Sequence, residues 1–119
     1  MTPDLAIRDP RLDGPTYKVK VTLGDRTEKF YVTVNHQGGQ PFEVFIRVDR
    51  PELHEWVTTV ALLVSDALRR GRRLADIAAD LQAIHSGGHS LHVLPDGSQC
   101  FSLVERLGQV LARHAAGTH

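Results

Sequence analysis

A chain of 119 residues with 41% hydrophobic and 24% charged side chains has the composition of an ordinary globular protein, long enough for one core and too short for two. Lys and Arg number 14, Asp and Glu also 14, so the formal net charge is zero with His neutral. That balance argues against sequence-independent binding of nucleic acid, because neutralising phosphates takes a basic surplus on one face.

The seven histidines make the protein cationic below about pH 6.5. Cys100 is the single cysteine, which excludes an internal disulfide and fits a reducing compartment. The opening residues do not read as a basic-then-apolar leader, and no apolar run approaches the roughly 18 residues that span a bilayer. The expected location is cytoplasmic, with no membrane partner.

Residues 1–16 place Pro3, Pro10, Gly14 and Pro15 among charges without a period of either kind, and read as an arm on the surface. Residues 17–115 read as a single domain, and residues 116–119 as a tail. A first strand is expected over Tyr17 to Leu23 and, after a turn at Gly24-Asp25-Arg26, a second over Lys29 to Asn35. Gly38-Gly39 then joins it to a third run in which Phe42, Val44, Ile46 and Val48 point one way and Glu43, Phe45 and Arg47 the other. Three strands with short connections make an antiparallel meander with one apolar face.

Helices are expected to cover that face. Asp49 as cap, Pro51 in the first turn and Glu52 start a long helix whose apolar positions are Leu53, Trp56, Val57, Val60, Leu63, Val64, Ala67 and Leu68. Gly71, after Arg69-Arg70, closes it. A second helix is predicted over Leu74 to His85, with Ile84 on its stripe, and Gly87-Gly88 ends it. Leu91 to Val93 suits a strand or an ordered loop. A third helix is predicted to begin between Ser98 and Ser102, with Ser102 and Glu105 as a capping box, and to run to Ala115. Gly108 inside it costs roughly 1 kcal/mol relative to Ala, which points to close packing there. The fold class is therefore α+β: a three-stranded antiparallel meander, with room for a fourth strand, packed on one face by one long and two shorter helices.

The run Tyr31 to Ile46, followed by Trp56, Ser65, Leu68-Arg69 and Gly71, resembles the TSCPD domain. That domain is found near the C-terminus of cobalamin-dependent ribonucleotide reductases and in small stand-alone proteins. The resemblance extends over roughly Tyr17 to His114 and is most specific in the Val-Asn…Pro-Phe-Glu-Val-Phe-Ile segment. It implies an accessory domain without the reductases' catalytic barrel or paired-cysteine tail, hence no enzyme activity and no cofactor. The segment Cys100-Phe101-Ser102 stands where the family's Cys-Pro-Asp is expected, and departs from it in Pro and Asp.

Three constellations carry chemistry. The polar face of the sheet should gather Tyr31, Thr33, Asn35, Glu43, Phe45 and Arg47 beside Lys18 and Lys20, a set suited to stacking a base and holding a phosphate or to forming a subunit interface. The turn Arg69-Arg70-Gly71-Arg72-Arg73 either complements a helix C-terminus or binds a phosphate. His85, His89, His92 and Cys100 are weak candidates for a metal, since imidazole and thiolate suit zinc but their spacing matches no standard motif. Were Cys100 in the first turn of the third helix, the dipole would favour its thiolate; a small core hydrophobe is the alternative.

The expectation is a non-catalytic accessory protein that self-associates as a homo-oligomer or binds a protein partner, with a connection to ribonucleotide reduction. The alternative is a nucleotide-binding protein that uses the open sheet face or the Arg-rich turn.

Overall fold

The computed structural model describes residues 7–23, 26–84, 92–93, 99–100 and 103–117. Strands β1 (Thr16–Leu23), β2 (Arg26–Gln37) and β3 (Gln40–Val48) form an antiparallel sheet in the order β1-β2-β3, the expected meander. The register sets Val19 opposite Phe30, Val32 opposite Ile46 and Val34 opposite Val44, so the alternating apolar side chains line up on one face and are buried. Strand β2 is longer than predicted because it is central, and pairing on both sides carries it past the residues whose alternation is visible. Gly38 and Gly39 have φ of 60° and 77°, the two left-handed positions of a type I′ hairpin turn whose twist matches its strands.

Helix α1 (Pro51–Arg69) follows β3. Its N-cap is Arg50, which makes no side-chain capping bond, and not the expected Asp49. Pro51 takes the first helical position, where its fixed φ suits the helix and its missing N–H is one that no helical carbonyl would bond, so the residue before it is the N-cap. At the other end Gly71 takes φ 90°, its N–H donating to Leu68 O and that of Arg72 to Ala67 O. This is the paired bonding of a Schellman motif, and it needs glycine.

The buried stripe of α1 is Val57, Ala61, Val64, Ser65 and Leu68. Leu53, Trp56, Val60 and Ala67 pack against its margins. Leu63, expected on the stripe, is exposed: one residue before Val64, it lies about 100° round the helix. Helix α1 packs on β3. Ser65 Oγ donates to Val44 O and accepts from Val44 N, each at 3.0 Å, so the helix satisfies backbone groups that an edge strand leaves unpaired.

Helix α2 (Leu74–Gln82) ends earlier than predicted and leaves Ile84 outside it and exposed. It packs on α3 (Leu103–Ala116). The contact is tight at Gly108, where a Cβ would lie 2.9 Å from Ala78 O and from Leu81 Cβ, as the unfavourable mid-helix glycine implied. The segment near Leu91 supplies not a fourth meander strand but a separate pair, β4 (His92–Val93) against β5 (Gln99–Cys100). Cys100 is thus in a strand, three residues before α3, and not in a helical first turn. The expected cap at Ser102 lies outside the described residues. Among the described residues no helix is long and apolar enough to cross a membrane.

Candidate functional site

Alternation along β2 and β3 sends six predicted site residues to the outer face, in three opposed pairs: Tyr31 with Arg47, Thr33 with Phe45, and Asn35 with Glu43. The face is not uniform. At one end the Arg47 guanidinium lies 4.4 Å from the centre of the Tyr31 ring, a cation–π contact. Beside it Thr16 and Thr33 share a hydroxyl hydrogen bond of 2.7 Å, and Phe45 is 53% exposed. This end is the open polar face that the alternation predicts.

The other end is roofed. Glu43, expected on the open face, is 1% exposed. Arg8 donates from Nε to Oε2 at 2.9 Å and from Nη2 to Oε1 at 2.8 Å, a bidentate pair. Asn35 Nδ2 adds a bond of 3.0 Å to Oε1, and Arg69 Nη2 one of 3.3 Å to Oε2. The Arg8 hydrogen bonds hold the carboxyl below its ordinary pKa, with Asn35 and the nearby Arg69 charge acting in the same sense and outweighing the opposing effect of burial.

Residues 7–15 bring Arg8 there by running along the end of β2. Asp9 N–H donates to Gln37 Oε1, Gln37 Nε2 to Ile7 O, His36 N–H to Asp13 O, and Val34 N–H to Pro15 O. Gly14 passes so close that a Cβ would sit 1.7 Å from Val34 O. The arm was legible as surface chain, but no periodicity marks Arg8 as the partner of Glu43.

In the Arg-rich turn each guanidinium reaches a carboxylate, which Arg69 shares with Arg8. Arg69 reaches Glu43, Arg70 meets Asp66 at 2.9 Å, Arg72 pairs with Asp80, and Arg73 meets Asp76 at 3.2 Å. Asp76 raises the Arg73 pKa. Arg69 also lies over the Phe42 ring. Arg69 and Arg70 stand at the C-terminal end of α1, where cations complement the dipole, while Arg72 and Arg73 precede α2 and are offset by Asp80 and Asp76.

A groove of about 320 Å³ runs between β3 and α1, walled by Val44, Phe45, Ile46, Ala61, Leu62 and Ser65, with Glu43, Asp66 and Arg69 along it. Leu62, on the groove wall with Phe45, is 68% exposed. The sequence signal was Leu62, which stands about 100° round the helix from Ala61 and off the apolar stripe.

A second constellation has no local signal at all. Tyr17 Oη lies 2.6 Å from His114 Nδ1, and His114 Nε2 lies 3.0 Å from His36 Nε2. Burial raises the Tyr17 pKa. Of the predicted metal candidates, His85 and His89 lie outside the described residues, while His92 and Cys100 are paired in the backbone register of β4 and β5. Among the described residues no group of three or more His, Cys, Asp or Glu is placed to hold a metal.

Searches of curated proteins and of solved structures return no significant match. The family model of the TSCPD domain matches residues 2–115, the span that contains the arm, the meander, the roofed glutamate and all three helices, and the chain belongs to the TSCPD-domain family.

Proposed function

We propose that the protein is a non-catalytic accessory module that associates with a second copy of itself through the groove between β3 and α1. The observation that carries this reading is the exposure of Phe45 and Leu62 on the walls of a mostly apolar groove. Large apolar side chains grouped at a concavity mark interaction surfaces. Half-exposed Asp66 at the groove gives the apolar walls a polar edge, as at the rim of a protein interface. Zero formal net charge keeps repulsion between copies small.

The non-catalytic part of the reading is supported by what the polar side chains do. Ser65 serves the backbone of Val44, and Glu43 is consumed by Arg8, Asn35 and Arg69. The wider setting, work beside a ribonucleotide reductase, comes from the family. Nucleotide binding has less support, because Arg70, Arg72 and Arg73 each face an aspartate and Arg47 is stacked on Tyr31.

Light scattering on the purified protein tests the proposal. The expected mass is a dimer, and Leu62→Glu should reduce it to a monomer while leaving the circular dichroism spectrum unchanged. A wild-type monomer, or a dimer indifferent to Leu62→Glu and Phe45→Glu, would defeat the reading. A thermal-shift screen with nucleotides at millimolar concentration should be flat; a rise in Tm would favour the ligand-binding alternative.

A further inference from the structure

Two imidazoles 78 residues apart converge at the rim of the sheet, and we propose that His36 and His114 form a bidentate site for a divalent transition-metal ion of the copper or nickel kind. His36 stands at the one register shift between β2 and β3, between Asn35 and His36, where its backbone N–H bonds Asp13 O. The extra residue of this bulge is Phe42 of β3, and His36 is the single β2 residue that faces it. His114 comes from the last turn of α3, so the two ligands are fixed by elements packed on a common core.

The geometry is close to that of a chelate. The two Nε2 atoms are 3.0 Å apart, and with metal–nitrogen bonds of about 2.0–2.1 Å this separation corresponds to an N–metal–N angle of about 95°. Cis positions of a square or octahedral field stand near a right angle, which suits Cu²⁺ and Ni²⁺ better than the wider tetrahedral angle of zinc, and these ions also lead in affinity for imidazole. The rings are tilted by 38° with centres 4.9 Å apart, so they meet at their nitrogen edges and not as a stack.

Protons balance without release. In the neutral pair one Nε2 carries the bridging hydrogen. When His114 receives the Tyr17 hydroxyl at Nδ1, that hydrogen is its own. On metal binding the His114 proton moves from Nε2 to Nδ1 and is donated to Tyr17 Oη, while His36 offers its Nε2 lone pair. Tyr17 then acts as the outer partner that orients a ligating imidazole. The negative end of the α3 dipole favours a cation at this position. Water would complete the coordination.

The test uses the full chain without an affinity tag, stripped by a chelator and titrated with NiCl₂ and CuCl₂ in a non-coordinating buffer. Calorimetry should show a site whose affinity falls at least tenfold in His36→Gln and in His114→Gln, and less in Tyr17→Phe. Bound Ni²⁺ should raise the Tm of the wild type but not of His36→Gln. The Cu²⁺ spin-resonance spectrum should lose one coupled nitrogen in His36→Gln, a readout that stands even if His114→Gln fails to fold. Absence of binding at millimolar metal, or binding and spectra unaltered in His36→Gln, would overturn the assignment.

Discussion

The carboxylate at position 43 is covered by two guanidiniums and an amide, and that arrangement fixes how the protein should respond to acid. Its pKa is lower in the folded than in the unfolded chain, so the stability it contributes is complete above the unfolded value, about 4.3, and is lost as pH falls through the folded value. In urea titrations between pH 6 and pH 3 the wild type should therefore lose stability faster than Glu43→Gln. Glu43→Ala at neutral pH should cost about 1–3 kcal/mol, less than a fully enclosed pair, since Arg8 and Arg69 keep about a third of their side chains in water and can rehydrate. Alternation correctly put Glu43 on the outer face with Asn35. It could not show that Arg8, 35 residues away and in a segment without period, would cover them.

Among whole elements, the strands and the turn of the β2–β3 hairpin were legible because each is coded locally. Alternation of Phe42, Val44, Ile46 and Val48 marks a strand, and two adjacent glycines mark a turn with positive φ. The ends of helices were less legible. The N-cap fell on Arg50 and not on Asp49 because Pro51 takes the first helical position, and α2 stopped short of Ile84 although the apolar spacing continued. Gly108 is the case where a local cost revealed a distant contact. Gly108→Ala should improve the helix by about 1 kcal/mol in isolation. In the protein the added methyl meets Ala78 O, a backbone atom that cannot swing aside. The net effect should be a loss of about 1–3 kcal/mol on denaturant unfolding, with α2 displaced from α3.

Across the whole molecule, the sheet with helices on one face followed from the sequence, whereas the two sites that depend on distant segments did not. The groove needs α1 to lie along the β3 edge, which Ser65 fixes by bonding Val44, and that bond joins residues 21 positions apart. The Tyr17–His114–His36 contact needs the end of β2 beside the β3 bulge and the return of α3, spanning separations of 97 and 78 residues.

That long span also sets an order of events. Strands β1, β2 and β3 and helix α1 are consecutive, and their contacts close short loops, so they can assemble quickly. The Tyr17–His114 bond closes almost the whole chain into one loop, and such closure comes late. His114→Ala should therefore leave the refolding rate nearly unchanged and appear mainly as faster unfolding, with a φ-value near zero, while Val44→Ala in the hairpin should slow folding. Equal effects of the two changes on the folding limb of a chevron plot would contradict this order. The clasp between first strand and last helix thus governs how long the assembled molecule survives, not how readily it forms.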